Sequence, residues 1–214
     1  MIVPSMKLQE IRKALVADYE SEINGMLKAI EVTYRSKWMR TGKKDFAETI
    51  MCTTLSKNNW RITIECKKGN ITTIPYLVSY DDTGVTASHF LFGFGTERLM
   101  HFNTHFFKRY KERGKIAIEK PEDLVKHFFR KNIIMLPCYF PMEEGKQQLF
   151  CSLLGGIGLG KYHEEGEIHE FKTFVDDSLL RKEQKEQVRQ IWMQTMEEIS
   201  AELNRRLKRD GTKN

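Results

Sequence analysis

A change of apolar period near Trp60 is the strongest constraint on what this chain can fold into. Trp60, Ile62, Ile64 and Cys66 alternate with Arg61, Thr63 and Glu65, as one buried face of a β-strand requires. Lys67-Lys68-Gly69-Asn70 turns the chain into a second strand, Ile71 to Tyr80. Asp81-Asp82-Thr83-Gly84 turns it into a third, Val85 to Phe94. In that third strand Phe90, Phe92 and Phe94 share one face while Val85, Ala87 and Leu91 share the other, so it belongs inside a sheet or under a helix. Pro75 lacks an N–H and predicts an edge position or a bulge in the second strand. Three further strands, Gln148–Leu154, Ile157–His163 and Glu167–Val175, are separated by Gly155-Gly156 and Glu164-Glu165-Gly166. Strands that cluster in hairpins, instead of alternating with helices, predict an α+β fold with a mainly antiparallel sheet.

Helical patterning brackets these strands. Leu8, Ile11, Leu15, Tyr19, Ile23, Met26, Leu27, Ile30 and Tyr34 recur at steps of mostly three and four, predicting an amphipathic helix from Lys7 to Trp38 with Gly25 as a break or close contact. A second helix is expected over Asp45–Leu55. Short helices are expected over Asn103–Glu112, closed by Gly114, and over Glu122–Lys131, which Pro121 starts. Asn132–Gln147, with Pro137, Pro141 and Gly145, reads as irregular. Asp176-Asp177-Ser178 can cap a last helix to Lys208, with Val188, Trp192, Thr195, Ile199, Leu203 and Leu207 as its stripe and Arg205, Arg206, Lys208 and Arg209 at its end. The expectation is one domain over 1–214, helical over 1–57, sheet with short helices over 58–175, and a C-terminal helix over 176–214. The long N- and C-terminal amphipathic helices either pack on the sheet or offer their stripes to a protein partner or a second copy.

A chain of 214 residues suffices for one domain. No apolar run approaches the roughly 20 residues that a membrane span needs, so no membrane partner is expected. The first ten residues lack a basic start followed by an apolar stretch, which makes a cytoplasmic location the expectation. The net charge of +6 favours a partner with phosphates. Cys52, Cys66, Cys138 and Cys151 form no C-x-x-C pair and sit among apolar residues, as buried reduced thiols do.

Two motifs come close to known chemistry and miss. Gly155 through Gly160-Lys161 has the spacing of a phosphate-binding loop, but Tyr162 stands where Ser or Thr should hold magnesium and no helix start follows. A glycine-rich hairpin, admitting a backbone or ligand at close range, fits better. His101-Phe-Asn-Thr-His105 has the histidine spacing of a zinc protease without its glutamate, so no metal or other cofactor is assigned. A hydrolase metal site from His105, His163 and His169 with Glu167 or Glu170 stays open as an alternative.

The segment His101–Gly114 carries the densest chemistry. His105, Arg109 and Arg113 are spaced by four and share a helix face, while Phe106 and Tyr110 share another. A base and two guanidiniums suit metal-free RNA cleavage, which needs proton transfer and charge stabilisation at phosphorus. Lys108, Lys111 and Lys115 add cations for RNA binding. The segment Thr104–Gly114 resembles the His-x-x-x-Arg-x-x-x-Arg-Gly helix of metal-independent RNase toxins of the barnase, EndoU and RelE-like class, and Phe171-Lys172-Thr173-Phe174-Val175 is similar to their late strand. The resemblance implies His105 as base or acid, Arg109 and Arg113 as phosphate clamps, and Thr173 as a phosphate ligand. The functional expectations are an RNA-directed nuclease or an RNA-binding relative of one, a non-catalytic interaction or assembly protein using its long helices, and the histidine-metal hydrolase.

Overall fold

The computed structural model describes residues 1–3, 5–91, 98–142 and 146–211, without the side chains of 81, 202, 203 and 206–211. In chain order the elements are α1 (Leu8–Asp18), a π turn (Tyr19–Ile23), α2 (Asn24–Arg40), β1 (Phe46–Thr53), β2 (Asn59–Lys67), β3 (Asn70–Asp81), β4 (Gly84–Leu91) and β5 (Arg98–Phe102). Then come α3 (Thr104–Arg113), α4 (Pro121–Lys131), β6 (Pro137–Pro141), β7 (Gln147–Leu153), β8 (Gly156–His163), β9 (Ile168–Asp176), a 3-10 turn (Asp177–Leu179) and α5 (Lys182–Gly211). The strands form one sheet in the order β1-β2-β3-β4-β5-β9-β8-β7-β6. All its ladders are antiparallel except β5–β9, which is parallel. The architecture is α+β, as the hairpin pattern predicts.

Register divides the side chains between two faces. One face carries Tyr76, Val78, Ala87, Met100, Phe102, Phe171 and Phe174 under α3 and α4. Its centre is aromatic: Tyr76 stacks on Phe129 at 3.9 Å, Phe102 on Phe171 at 5.0 Å, and Phe106 and Phe128 meet edge to face at 5.4 Å. The other face is covered in two pieces. Ile11, Leu15 and Ile23 of the N-terminal helices lie over Trp60, Leu77, Phe90, Leu99 and Ile168. Val188, Ile191, Trp192 and Ile199 of α5 lie over Cys138, Phe150 and Ile157.

The π turn explains the unusual spacing of the first stripe. Ile11, Leu15, Tyr19, Ile23 and Leu27 follow one another at steps of four, and each such step overshoots an α-helical turn by about 40°. Widening the helix at Tyr19–Ile23 realigns them on the sheet, while Gly25, expected as a break or close contact, is neither: it lies within α2 and faces open space. The turn is preceded by Asp18, which is 1% exposed. Its Oδ2 accepts Thr54 Oγ1 at 2.9 Å, Asn58 Nδ2 at 2.8 Å and the Trp60 indole N–H at 2.9 Å. Glu22, one turn on, accepts the Leu55 N–H at 3.0 Å. Two carboxylates therefore bind the N-terminal helices to the β1–β2 turn.

Several expectations are corrected. Asp45–Leu55, expected as a helix, contains β1: Phe46, Glu48, Ile50 and Cys52 pair with Cys66, Ile64, Ile62 and Trp60. The inward Glu48 hid the alternation, and it is satisfied there by Lys37 Nζ at 2.8 Å. The irregular stretch 132–147 contains β6, an edge strand bounded by Pro137 and Pro141. Pro75 lies in an internal strand, at the point where the β3–β4 ladder stops at Tyr76↔His89, and its carbonyl takes His89 Nδ1 at 2.8 Å. The last helix begins at Lys182, after the 3-10 turn that Asp176 caps. Phe92 and Phe94 lie outside the described residues.

The glycine-rich segment is a hairpin that lets the sheet curl. Gly156, Gly158 and Gly160 all face the aromatic side. A Cβ would lie 2.2 Å from the Val175 carbonyl at Gly156 and 2.2 Å from the Glu170 carbonyl at Gly160. The curl brings Tyr139 on β6 within 2.8 Å of His169 on β9, three strands away, where a flat sheet would hold them about 14 Å apart. Gly160→Ala should cost about 2–3 kcal/mol, the upper range for overpacking, because backbone must move. Urea unfolding checks this, and an unchanged midpoint would contradict the close approach.

Candidate nucleic-acid interface

The α3 helix forms as its sequence suggests. Asn103 caps it, accepting the Phe106 N–H at 2.9 Å, and Thr104 roots it through its hydroxyl to the Val85 carbonyl at 3.1 Å. Phe106, Phe107 and Tyr110 are buried against the sheet, so the charged residues face outward. His105 is exposed in the first turn. Arg109 is engaged by Glu112 at 2.9 Å, Lys111 reaches Glu119 at 3.5 Å, and Arg113 donates to the Phe174 carbonyl. Arg113 thus fastens the end of α3 to β9.

Thr173 does not join this group. It pairs with Leu159, which packs in the α5 layer, so Thr173 and α3 stand on opposite faces of the sheet. The histidines are also dispersed. His169 is buried on the aromatic side against Tyr139, while His163 faces the other side and meets Glu170 at 2.9 Å. Among the described residues no three of His, Cys, Asp and Glu are grouped to hold a metal ion. Cys66, Cys138 and Cys151 are buried free thiols and Cys52 is half-buried. Burial pushes the Cys52, Cys138 and Cys151 thiols up, so they stay protonated.

A different constellation gathers at the end of the sheet where α4 stops, β7 turns into β8 and α5 passes. Two adjoining depressions, about 280 and 830 Å³, meet at Ser152, Leu153 and Trp192. Trp192, half-buried on α5, stands between them. Lys185 and Arg189 line one side, and Arg130 and Lys131 line the other with Lys67. Lys67 is paired with Glu65, and Asp177 lines the smaller depression. Lys185, Arg189, Arg130 and Lys131 are exposed and make no ion pair among the described residues.

Local chemistry builds this arrangement. The last turn of α4 favours cations because the helix carbonyl ends carry partial negative charge. Asn132 then locks α4 to the hairpin: its Oδ1 accepts the Leu154 N–H at 2.7 Å while its Nδ2 donates to the Phe128 carbonyl at 2.9 Å. The positive field reaches inward. Burial first, then Lys131 and Arg130, hold the His127 imidazole below its usual range. Beside the smaller depression, Asp176 is held low chiefly by Ser178 and also by the charges of Lys115 and Lys185. Sequence reading placed Trp192 in a core stripe, and four cations from two helices 50 residues apart gave no local signal.

No helix among the described residues is long and apolar enough to cross a membrane. The chain matches no family model, and comparison with curated proteins and with solved structures finds no match.

Proposed function

We propose that this protein binds single-stranded RNA across the Trp192 cleft, without cleaving it there. The observation that carries this reading is an indole at the junction of two depressions with unpaired cations on both sides. Aromatic faces stack bases of any sequence, and flanking cations track the phosphates. The chemistry of the cleft suits binding: it has cations and a stacking face, whereas the candidate base His105 and candidate ligand Thr173 lie on opposite sheet faces. RNA remains the partner that the basic charge balance favours, with its seat moved from α3 to the cleft.

The test is fluorescence anisotropy with a labelled oligouridylate. Four phosphate contacts predict that affinity falls about 50-fold between 50 and 200 mM salt. Trp192→Leu keeps an apolar side chain on the sheet and should weaken binding about tenfold or more, the worth of one stacked base. Arg189→Gln with Lys131→Gln should also flatten the salt dependence. Lys108→Gln with Lys111→Gln should change little. Salt-independent binding, or full affinity in Trp192→Leu, would remove the proposal; loss only in the α3 pair would return the site to that helix.

A further inference from the structure

The nine-stranded sheet has two edges, and only one is closed against further pairing. The β6 edge begins and ends in proline and lies against α5. The β1 edge carries none of the features that blunt a free strand: Phe46–Thr53 holds no proline, no lysine and no bulge. No residue of β1 is buried, whereas Trp60–Ile64 beside it are. The backbone shows which groups stay open. The Thr54 N–H donates to the Asn58 carbonyl at 3.1 Å, so Thr54 and Asn58 form a bonded pair. Bonded pairs alternate along an antiparallel ladder, so Phe46, Glu48, Ile50 and Cys52 direct their backbone groups at β2. Ala47, Thr49, Met51 and Thr53 direct theirs outward, and β1 pairs with no strand but β2 among the described residues.

We propose that β1 pairs antiparallel with β1 of a second copy, joining two sheets across a twofold axis through Thr49. The second copy then meets a strand and not the helix stripes, which pack on the sheet. The strand is its own complement, as a twofold interface requires. An axis at a residue sets each face of the strand against the same face of the copy. Ala47 stands opposite the copy's Met51 and Thr49 opposite the copy's Thr49, each pair exchanging both N–H bonds. Met51, 75% exposed, covers the small Ala47. On the other face Phe46 meets Cys52 and Glu48 meets Ile50. Glu48 is the single charge on the strand and is paired with Lys37 at 2.8 Å, so no like charges are opposed. Moving the axis to Ile50 would set Lys43 against Lys57, which favours the axis at Thr49. No residue of β1 lines the Trp192 cleft, so the pairing is independent of RNA binding.

Sedimentation velocity on the unmodified protein should show a dimer at about 100 μM, the weak end of the range for specific interfaces. Amide hydrogen exchange locates the contact. In the dimer Ala47, Thr49 and Met51 should exchange about tenfold or more slowly than in the monomer, while Glu48 and Ile50 are protected in both. Met51→Pro places its ring where an outward N–H stood and leaves the β2 ladder intact, so it should give a folded monomer. Met193→Lys, on the exposed side of α5, should leave the dimer unchanged. If Met51→Pro does not fold, the exchange pattern of the unmodified protein still decides. A monomer at about 100 μM, a dimer that survives Met51→Pro, or fast exchange at Ala47, Thr49 and Met51 within the dimer would overturn the assignment.

Discussion

Asp18→Ala should lower the unfolding free energy by on the order of 5 kcal/mol, the largest loss expected from one side chain in this protein. The hydroxyl of Thr54, the amide of Asn58 and the indole of Trp60 all point at one buried carboxylate oxygen. Removing it orphans three donors, each of which costs about 1–3 kcal/mol when buried without a partner. Asp18→Asn is a sharper variant, since an amide turned toward those donors presents N–H against N–H. Burial opposes ionisation of Asp18, but the bonds from Trp60, Asn58 and Thr54 outweigh it and leave the carboxyl below the usual range. A depressed carboxylate stabilises the fold above its unfolded pKa, and that contribution disappears as pH falls through the folded value. The expected readout is a large fall in urea midpoint for both variants with an unchanged slope. A shift worth less than about 1 kcal/mol would show that the β1–β2 turn is held by other contacts.

Acidification should act earlier and through different groups. His89 is buried and bonded to the Pro75 carbonyl; burial brings it down to about 4. His169 is brought down to about 4 by burial and then by Arg98. Both remain neutral in the folded protein while the unfolded chain takes up protons from pH 6.5 downward. The unfolded state therefore binds more protons between pH 6.5 and 4, and stability rises with pH across that window. Each histidine should account for about 3 kcal/mol by pH 4, so the pair removes about 6 kcal/mol, a large part of a domain's stability. Denaturant unfolding at half-unit steps from pH 7.5 to 4 tests this. His89→Gln should remove about half of the dependence over that window, and a parent protein equally stable at pH 7 and 4.5 would refute the assignment of both histidines.

The parts of the fold legible in the sequence were those with clean periodicity. Trp60–Cys66 alternates without exception, and the turns at Gly69 and Gly84 mark off the next two strands, which are apolar on both faces. Legibility failed where an inward position was polar or a strand was bounded by proline. In β1 the inward row includes Glu48, whose partners Lys37 and Tyr34 lie on another element. In β6 the prolines mark an edge, which resembles a loop when neighbours are unknown. The candidate site failed for a related reason. Spacing on α3 shows that His105, Arg109 and Arg113 share a side, but the Phe174 carbonyl that occupies Arg113 is 61 residues away. The cleft around Trp192 is assembled by the packing of α4, the β7–β8 hairpin and α5, and its pattern exists only in three dimensions.

The parallel β5–β9 ladder has a consequence for how the chain is made. The first five strands leave the ribosome as a meander whose last member, β5, has an open hydrogen-bonding edge. That edge stays open while about 65 further residues are synthesised, because its partner is the last strand of the sheet. At an elongation rate of about 5–20 residues per second the wait lasts seconds, far longer than a hairpin needs to form. An unpaired, apolar strand at the eventual centre of the sheet is a docking point for other nascent chains. The arrival of β9 joins the two halves of the sheet and ends the interval in which this protein is most prone to aggregate.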